Sequence, residues 1–237
     1  MSRSRGKKTT RRRIAKGLTV CLAFIIALCL LTLFQVLVLR FVNPPFTTLT
    51  AWKWVQGKIS GEGYRRPDYH WRPLKEISPH LIKAVQAAED QRFLSHHGFD
   101  FTELHRAVKD LVMMRRVRGA STISMQVART VFLWPGRSWF RKAIEAYYTL
   151  LVEAAWSKKR ILEIYLNTVD WGPGVMGAEA ASRKYFHTNS FRITASQAAM
   201  MAAILPAPHA WSPVDPSDYL RERQKKIMKD MEKMPLL

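Results

Sequence analysis

The sequence predicts a mainly α protein: one N-terminal transmembrane helix followed by an α-helical domain. Three observations predict it. Residues 17–39 form an unbroken apolar run, helix-capping signals recur along the rest of the chain, and no stretch shows a sustained alternation of period two. The run, Gly17 to Leu39, has 23 residues with Gln35 as its only strongly polar side chain. At about 1.5 Å per helical residue it reaches roughly 34 Å, enough for a hydrocarbon core of about 30 Å. A cleavable signal would be shorter, about 7–15 apolar residues, and would end in a small-residue site. Leu39-Arg40-Phe41-Val42-Asn43-Pro44-Pro45 offers none, so the run is an uncleaved anchor.

Charge orients that anchor. The 237 residues hold 38 Lys+Arg against 18 Asp+Glu, a formal net charge of +20. Eight cations, from Arg3 to Lys16, precede the run, only Arg40 follows it closely, and no acid appears before Glu62. The positive-inside rule puts residues 1–16 in the cytoplasm and the domain outside. Beside a span, this basic arm is a topology signal that touches anionic lipid, not a nucleic-acid tail. A hydrophobic content of 48% excludes a disordered chain. Both cysteines, Cys21 and Cys29, lie in the run, so the outer domain has no disulfide or thiolate metal site and depends on its core.

Residues 40–77, rich in Pro, Gly, Trp and Tyr, are expected to be an irregular connector along the membrane surface. Trp52, Trp54 and Trp71 either sit in the interfacial belt or pack on the domain. From residue 78 the signals are helical. Ser78-Pro79 is an N-cap with Pro at the first helical position, leading into Leu81, Ile82, Ala84, Val85 and Ala88. Asp100 and Glu103 form a capping-box pattern ahead of Leu104, Val108, Leu111 and Val112. Ser138 precedes a segment with Ile144, Tyr147, Tyr148 and Leu151 on one face, and Ser157 precedes Ile161, Leu162, Tyr165 and Leu166. Thr194 with Gln197 is another capping box, for a helix that should stop before Pro206. Asp215-Pro216 is expected to open a last helix carrying Leu220, Ile227, Met231 and Met234.

Two acids fall at the edges of apolar stripes. With Leu81 at zero, Glu89 lies at about 80° and Asp90 points nearly opposite the stripe. A carboxylate so placed is either partly desolvated, which suits a general base, or a rim residue with its head in water. With Ile144 at zero, Glu145 lies at about 100° and Arg141 at about 60°, which could equally be a surface i,i+4 pair. Between them, Arg118-Gly119-Ala120-Ser121-Thr122-Ile123-Ser124-Met125-Gln126 reads as a helix start with free N–H groups, a site for phosphate. Arg129, Arg137, Arg141 and Lys142 follow, interleaved with Phe132, Trp134, Trp139 and Phe140, which suits lipid headgroups.

Five stretches together resemble the family 51 glycosyltransferases, the peptidoglycan glycosyltransferases. Glu89-Asp90-Gln91-Arg92-Phe93 with His97-Gly98 and Asp100 is similar to the first motif. Gly119 to Gln126 is similar to the second and Arg141-Lys142-Ala143-Ile144-Glu145 to the third. Lys159 to Asn167, with Gly172, Gly177, Ala180-Ala181, Tyr185 and Phe186, is similar to the fourth. Ala198-Ala199-Met200, Ala202-Ala203 and Leu205-Pro206-Ala207-Pro208 are similar to the fifth. All five occur in order within residues 78–213, which is far more specific than any one of them.

The resemblance implies a lysozyme-like α-helical domain over 78–237 with a small membrane-dipping lobe, held at the bacterial inner membrane and facing the periplasm. It implies inverting polymerisation of glycan from lipid II, with release of undecaprenyl pyrophosphate. Glu89 would be the general base, and Glu145 would stabilise the sugar or position phosphates. Ser121, Thr122, Gln126, Arg129, Arg137, Arg141 and Lys142 would bind substrate. It allows a divalent metal, Mg or Mn, bridging the pyrophosphate, although no His/Cys/Asp cluster with ligand spacing is visible. The implied partners are lipid II, the growing strand, membrane lipids and other cell-wall synthesis or division proteins, and no nucleic acid. A penicillin-binding domain is not expected: the only S-x-x-K is Ser4–Lys7, and K-T-G is absent. Two positions depart from the family pattern, Met125 where Gln is usual and Arg129 where Lys is usual. Rival readings are a lysozyme-like lytic transglycosylase or hydrolase, which would need an acid to protonate the leaving sugar, and a non-enzymatic wall-binding membrane protein.

Overall fold

The computed structural model describes residues 3–61, 67–113 and 119–237. It divides into Met1–Val42 and Asn43–Leu237. In the first unit, helix α1 runs from Arg3 to Phe41. Its apolar part, Lys16–Phe41, has 26 residues, and an 18-residue window of it reaches a mean hydropathy of 2.9, long and apolar enough to cross a bilayer. Arg118 and Glu62, named above, lie outside the described residues.

In the second unit the expected irregular connector is partly helical. Helix α2 spans Thr48–Ser60. Thr47 caps it through a reciprocal pair with Thr50, and Gly61 ends it at φ 72°. The cap was hidden because Thr, rather than Glu or Gln, fills its third position. The Thr48 hydroxyl donates to the Val131 carbonyl at 2.6 Å, docking α2 on the domain. Trp52 and Trp54 are exposed, whereas Trp71 packs on the domain beneath the Arg160 guanidinium.

The remaining helices are α3 (Pro79–Glu89), α4 (Phe101–Val112), α5 (Ile123–Phe132), α6 (Trp139–Ala155), α7 (Lys158–Thr168), α8 (Ala178–Phe186), α9 (Ala195–Ile204) and α10 (Asp218–Met231). Ser78, Asp100, Thr122, Ser138, Ser157, Thr194 and Ser217 each accept a backbone N–H at a helix start. The last helix therefore opens at Ser217 rather than at Asp215-Pro216. Short strands β1 (Asp68–Tyr69), β2 (Asp170–Gly172) and β3 (Val175–Met176) pair in the order β1-β3-β2. They are too short to show a period in sequence.

Helix α9 is rich in Ala and Met and is buried from Ala198 to Ile204. Its small side chains let α3 and α10 pack closely against it. Helices α5, α6 and α7 form the other packed group, around Ile123, Val127, Tyr148, Val152 and Leu162. Glu179 is buried beside them. Burial pushes its carboxyl up, but bonds from the Ser190 N–H and hydroxyl, Arg183 and Arg72 outweigh this and hold it at about 2. It fixes the loop at Ser190 to the segment that leads into α3.

Helix α4 carries an uncovered apolar face. Leu104, Val108, Leu111 and Val112 share a face, as the pattern requires, yet all are exposed, Val112 at 78%. An amphipathic helix with its apolar side uncovered suits lipid contact. Trp134, Phe140 and Trp139, the last 92% exposed, extend the uncovered apolar surface of this unit.

Candidate active site

Glu89 is the last residue of α3. The helix ends there because Asp90 leaves it, at φ −160° and ψ 77°. Helical arithmetic therefore fails for Asp90, which is buried rather than turned to solvent. Its carboxylate sits 2.9 and 3.1 Å from His96 Nε2 and accepts the Ile123 N–H at 3.0 Å. The Thr122 hydroxyl accepts the Met125 N–H and donates to the Gly98 carbonyl at 2.6 Å. Gly98 has φ 92°, and a Cβ there would lie 2.8 Å from Thr149 Cγ2 on α6, so only glycine fits.

These bonds revise the phosphate-site reading of the α5 start. Two of its first three N–H groups are already used, one by the protein's own carboxylate and one by Thr122. Thr122 is a buried cap rather than a ligand-facing hydroxyl. Ser121 is half-buried at the same turn. Met125, which lacks an amide, is buried and faces the core.

What α5 presents to Glu89 is one turn further on. Gln126 Nε2 donates to Glu89 Oε2 at 2.8 Å, and Tyr165 on α7 donates its hydroxyl to Gln126 Oε1 at 3.3 Å. The amide is thus oriented from behind. Burial pushes the Glu89 carboxyl above its usual range, and Asp90 adds to this. The Gln126 bond, Arg223 on α10 and Arg129 on α5 pull the other way. Tyr165 is also pushed well up, first by burial and then by Glu89, so it remains a neutral donor. A desolvated carboxylate with donors on one side suits a general base.

Arg129 follows Gln126 by three residues, on the same face of α5. It borders a cavity of about 250 Å³ that Arg137, Arg141, Trp134, Pro135 and Gly136 also line. Gly136 has φ 136°, and the turn at Trp134-Pro135-Gly136 brings Arg137 to the same cavity as Arg129. The structure therefore gathers Arg129, Arg137 and Arg141 at one cavity.

Glu145 differs most from expectation. The buried face of α6 runs through Arg141, Glu145, Tyr148, Thr149 and Val152, not through Ile144 and Leu151. Glu145 lies at its centre, with 0% exposure. It pairs with Lys142 Nζ at 2.5 Å and lies 3.7 Å from Arg141 Nη1. Neither a surface pair nor an open stripe-edge acid describes it. It is a buried counter-ion beneath the arginine cavity.

The fold also gathers Asp90, His96 and Asp100, all buried, with one ligand atom of each within 4.8 Å of the others. Their gaps of six and four residues gave no signal in sequence. This group does not fit a metal bridging pyrophosphate. Asp90 is committed to His96 and Ile123, and Asp100 Oδ1 to the Thr102 and Glu103 N–H groups. The cavity lined by Arg129, Arg137 and Arg141 offers guanidinium groups rather than oxygen ligands.

The family model described as Transglycosylase matches residues 56–232. The biosynthetic peptidoglycan transglycosylase of Caulobacter vibrioides is 43% identical over 218 residues, covering 92% of this chain and 91% of that protein. The Xanthomonas campestris pv. campestris (strain B100) protein of the same name is 43% identical over 212 residues, covering 90% and 86%. That of Pseudomonas putida (strain KT2440) is 46% identical over 199 residues, covering 84% of each.

Proposed function

The chain belongs to the transglycosylase family, and from that premise we propose how it works as a peptidoglycan glycosyltransferase, polymerising glycan chains from lipid II. The 4-hydroxyl of the acceptor sugar attacks C1 of the donor strand's terminal sugar. Glu89 takes the hydroxyl proton, the O4–C1 bond forms, and the bond from C1 to the pyrophosphate oxygen breaks with inversion. Arg129, Arg137 and Arg141 receive the negative charge that develops on the leaving pyrophosphate. The observation that carries this reading is the face of α5. Gln126 touches the base and Arg129, one turn on, borders the three-arginine cavity. Base and leaving-group site are thus set by one rigid element.

The apolar side of α4, with Trp139 and Phe140, would rest in the outer leaflet and admit a lipid-linked substrate. The test is to incubate the purified full chain with labelled lipid II. Polymer supports the proposal, whereas cleaved glycan or no product overturns it.

Two expected results refine it. Arg129→Lys keeps the charge and should keep much of the activity, whereas Arg129→Ala or Arg137→Ala should lose on the order of 10²–10³ in turnover. Normal polymerisation of detergent-solubilised lipid II by both alanine variants, with weakened membrane binding, would make them headgroup anchors instead. The N-in, C-out orientation at the inner membrane follows from the eight cations before the span. A reporter fused after Leu237 that works only in the periplasm should be active, and activity of a cytoplasm-only reporter would reverse the topology.

A further inference from the structure

We propose that Arg223 is a positioning residue of the active site, supplying from the C-terminal helix the second positive charge that faces the Glu89 carboxylate. The inference rests on Glu89 being the base. Arg223 lies beyond all five motif stretches, on α10.

The placement of α10 carries it. Leu220, Ile227 and Met231 bury one side of the helix. Asp230 accepts a bond from Gln91 Nε2 at 3.3 Å, which ties α10 to the segment directly after Glu89. Arg223 precedes Asp230 by seven residues, so the two share nearly the same azimuth on the helix. Arg223 is thus on the side that meets the end of α3. Its Nε donates to the Ala203 carbonyl at 3.1 Å. Ala203 lies in the last turn of α9, whose partial negative charge holds a cation there. Among the described residues no Asp or Glu makes an ion pair with Arg223, and its charge favours the ionised form of Glu89.

The groups that act on Glu89 come from four elements. Asp90, next in the chain, opposes its ionisation. Gln126 and Arg129 on α5 and Arg223 on α10 favour it, with Arg223 outweighing Arg129. Tyr165 on α7 stays neutral and reaches Glu89 through Gln126. Arg129 borders the leaving-group cavity, and a bound pyrophosphate would draw on its charge. Arg223 has no such claim on it, and so goes on favouring ionisation of the base while the acceptor hydroxyl is deprotonated.

The test is the pH dependence of kcat/KM for lipid II polymerisation by the full chain. Arg223→Gln and Arg223→Met both remove the charge, and Met keeps the apolar stem if Gln fails to fold. Either should move the acid limb up by about half a unit or more, because the half-buried carboxylate loses an opposing charge. The loss should be several-fold larger below the limb than above it. Arg223→Lys should return the limb towards its normal position. A uniform loss at every pH with a lower melting temperature would reduce Arg223 to a cap on α9 and overturn the inference. Near-normal turnover by Glu89→Gln would instead remove the base itself, so the two failures are distinguishable.

Discussion

Glu89→Gln should abolish polymerisation, by on the order of 10²–10⁴ in rate, the usual cost of losing a general base. The substitution keeps shape and hydrogen bonding, since a glutamine oxygen can still accept from Gln126. What it removes is the ability to take a proton. The same change should not unfold the domain, and the sign of its effect on stability can be worked out. Burial raises the Glu89 carboxyl above its unfolded value, so the folded state prefers the protonated form. The stability this group contributes is then full at acid pH and is lost as pH rises through the folded-state value. A neutral glutamine escapes that loss. The variant should melt no lower than the parent at neutral pH, and the difference should vanish in acid. Melting curves at the two pH values, beside a lipid II assay, check both halves. Substantial polymerisation by the variant would sink the assignment of Glu89.

The fold was legible where local chemistry decides it. Ser78-Pro79, Ser138, Ser157 and Thr194 announce helices because a side-chain oxygen three residues or fewer from a free N–H is a local event. The apolar run of α1 needs no tertiary information either. Helix α2 was missed because Thr47 and Thr50 cap it without the usual acid or amide. The stripe on α4 was read correctly as apolar, but sequence cannot say whether lipid or protein covers such a face.

The site was legible as a set of residues and not as a set of roles. Glu89, Gln126 and Arg129 were found, but that Gln126 bonds Glu89 depends on where α3 and α5 meet. Thr122 looked like a phosphate ligand, but it caps α5, and the neighbouring Ile123 N–H is taken by Asp90, 33 residues before Ile123, which no local pattern reports. Tyr165 read as one more apolar residue of its helix, and Arg223 drew no notice. Each gains its meaning from a contact distant in sequence. Glu145 shows the same limit within one helix. The stripe built on Ile144 and Leu151 was the wrong one because the buried face also includes Arg141 and Thr149, which hydrophobicity does not score.

That burial changes what is expected of Glu145→Gln. An exposed pair with Arg141 would be worth about 0.5 kcal/mol and nothing in rate. A fully buried acid whose partners are two cations is a different case: deleting one charge leaves the others uncompensated, typically at about 3–5 kcal/mol. Lys142 is half in solvent and can turn outward, whereas the Arg141 side chain is only 10% exposed and cannot easily do so. Arg141 lines the cavity assigned to the pyrophosphate. Its displacement should therefore lower turnover, on the order of 10²-fold, as well as the melting temperature. Since Glu145 has no open surface, the effect must pass through Arg141 and Lys142 rather than through direct contact with the sugar. A double-mutant cycle reads that route. If Glu145 works only by placing Arg141, then Glu145→Gln combined with Arg141→Ala should cost little more in kcat than Arg141→Ala alone. Full additivity would mean that Glu145 reaches the substrate by itself, in a conformation in which α6 opens. Unchanged kinetics with a lower melting temperature would leave Glu145 a structural ion of the core.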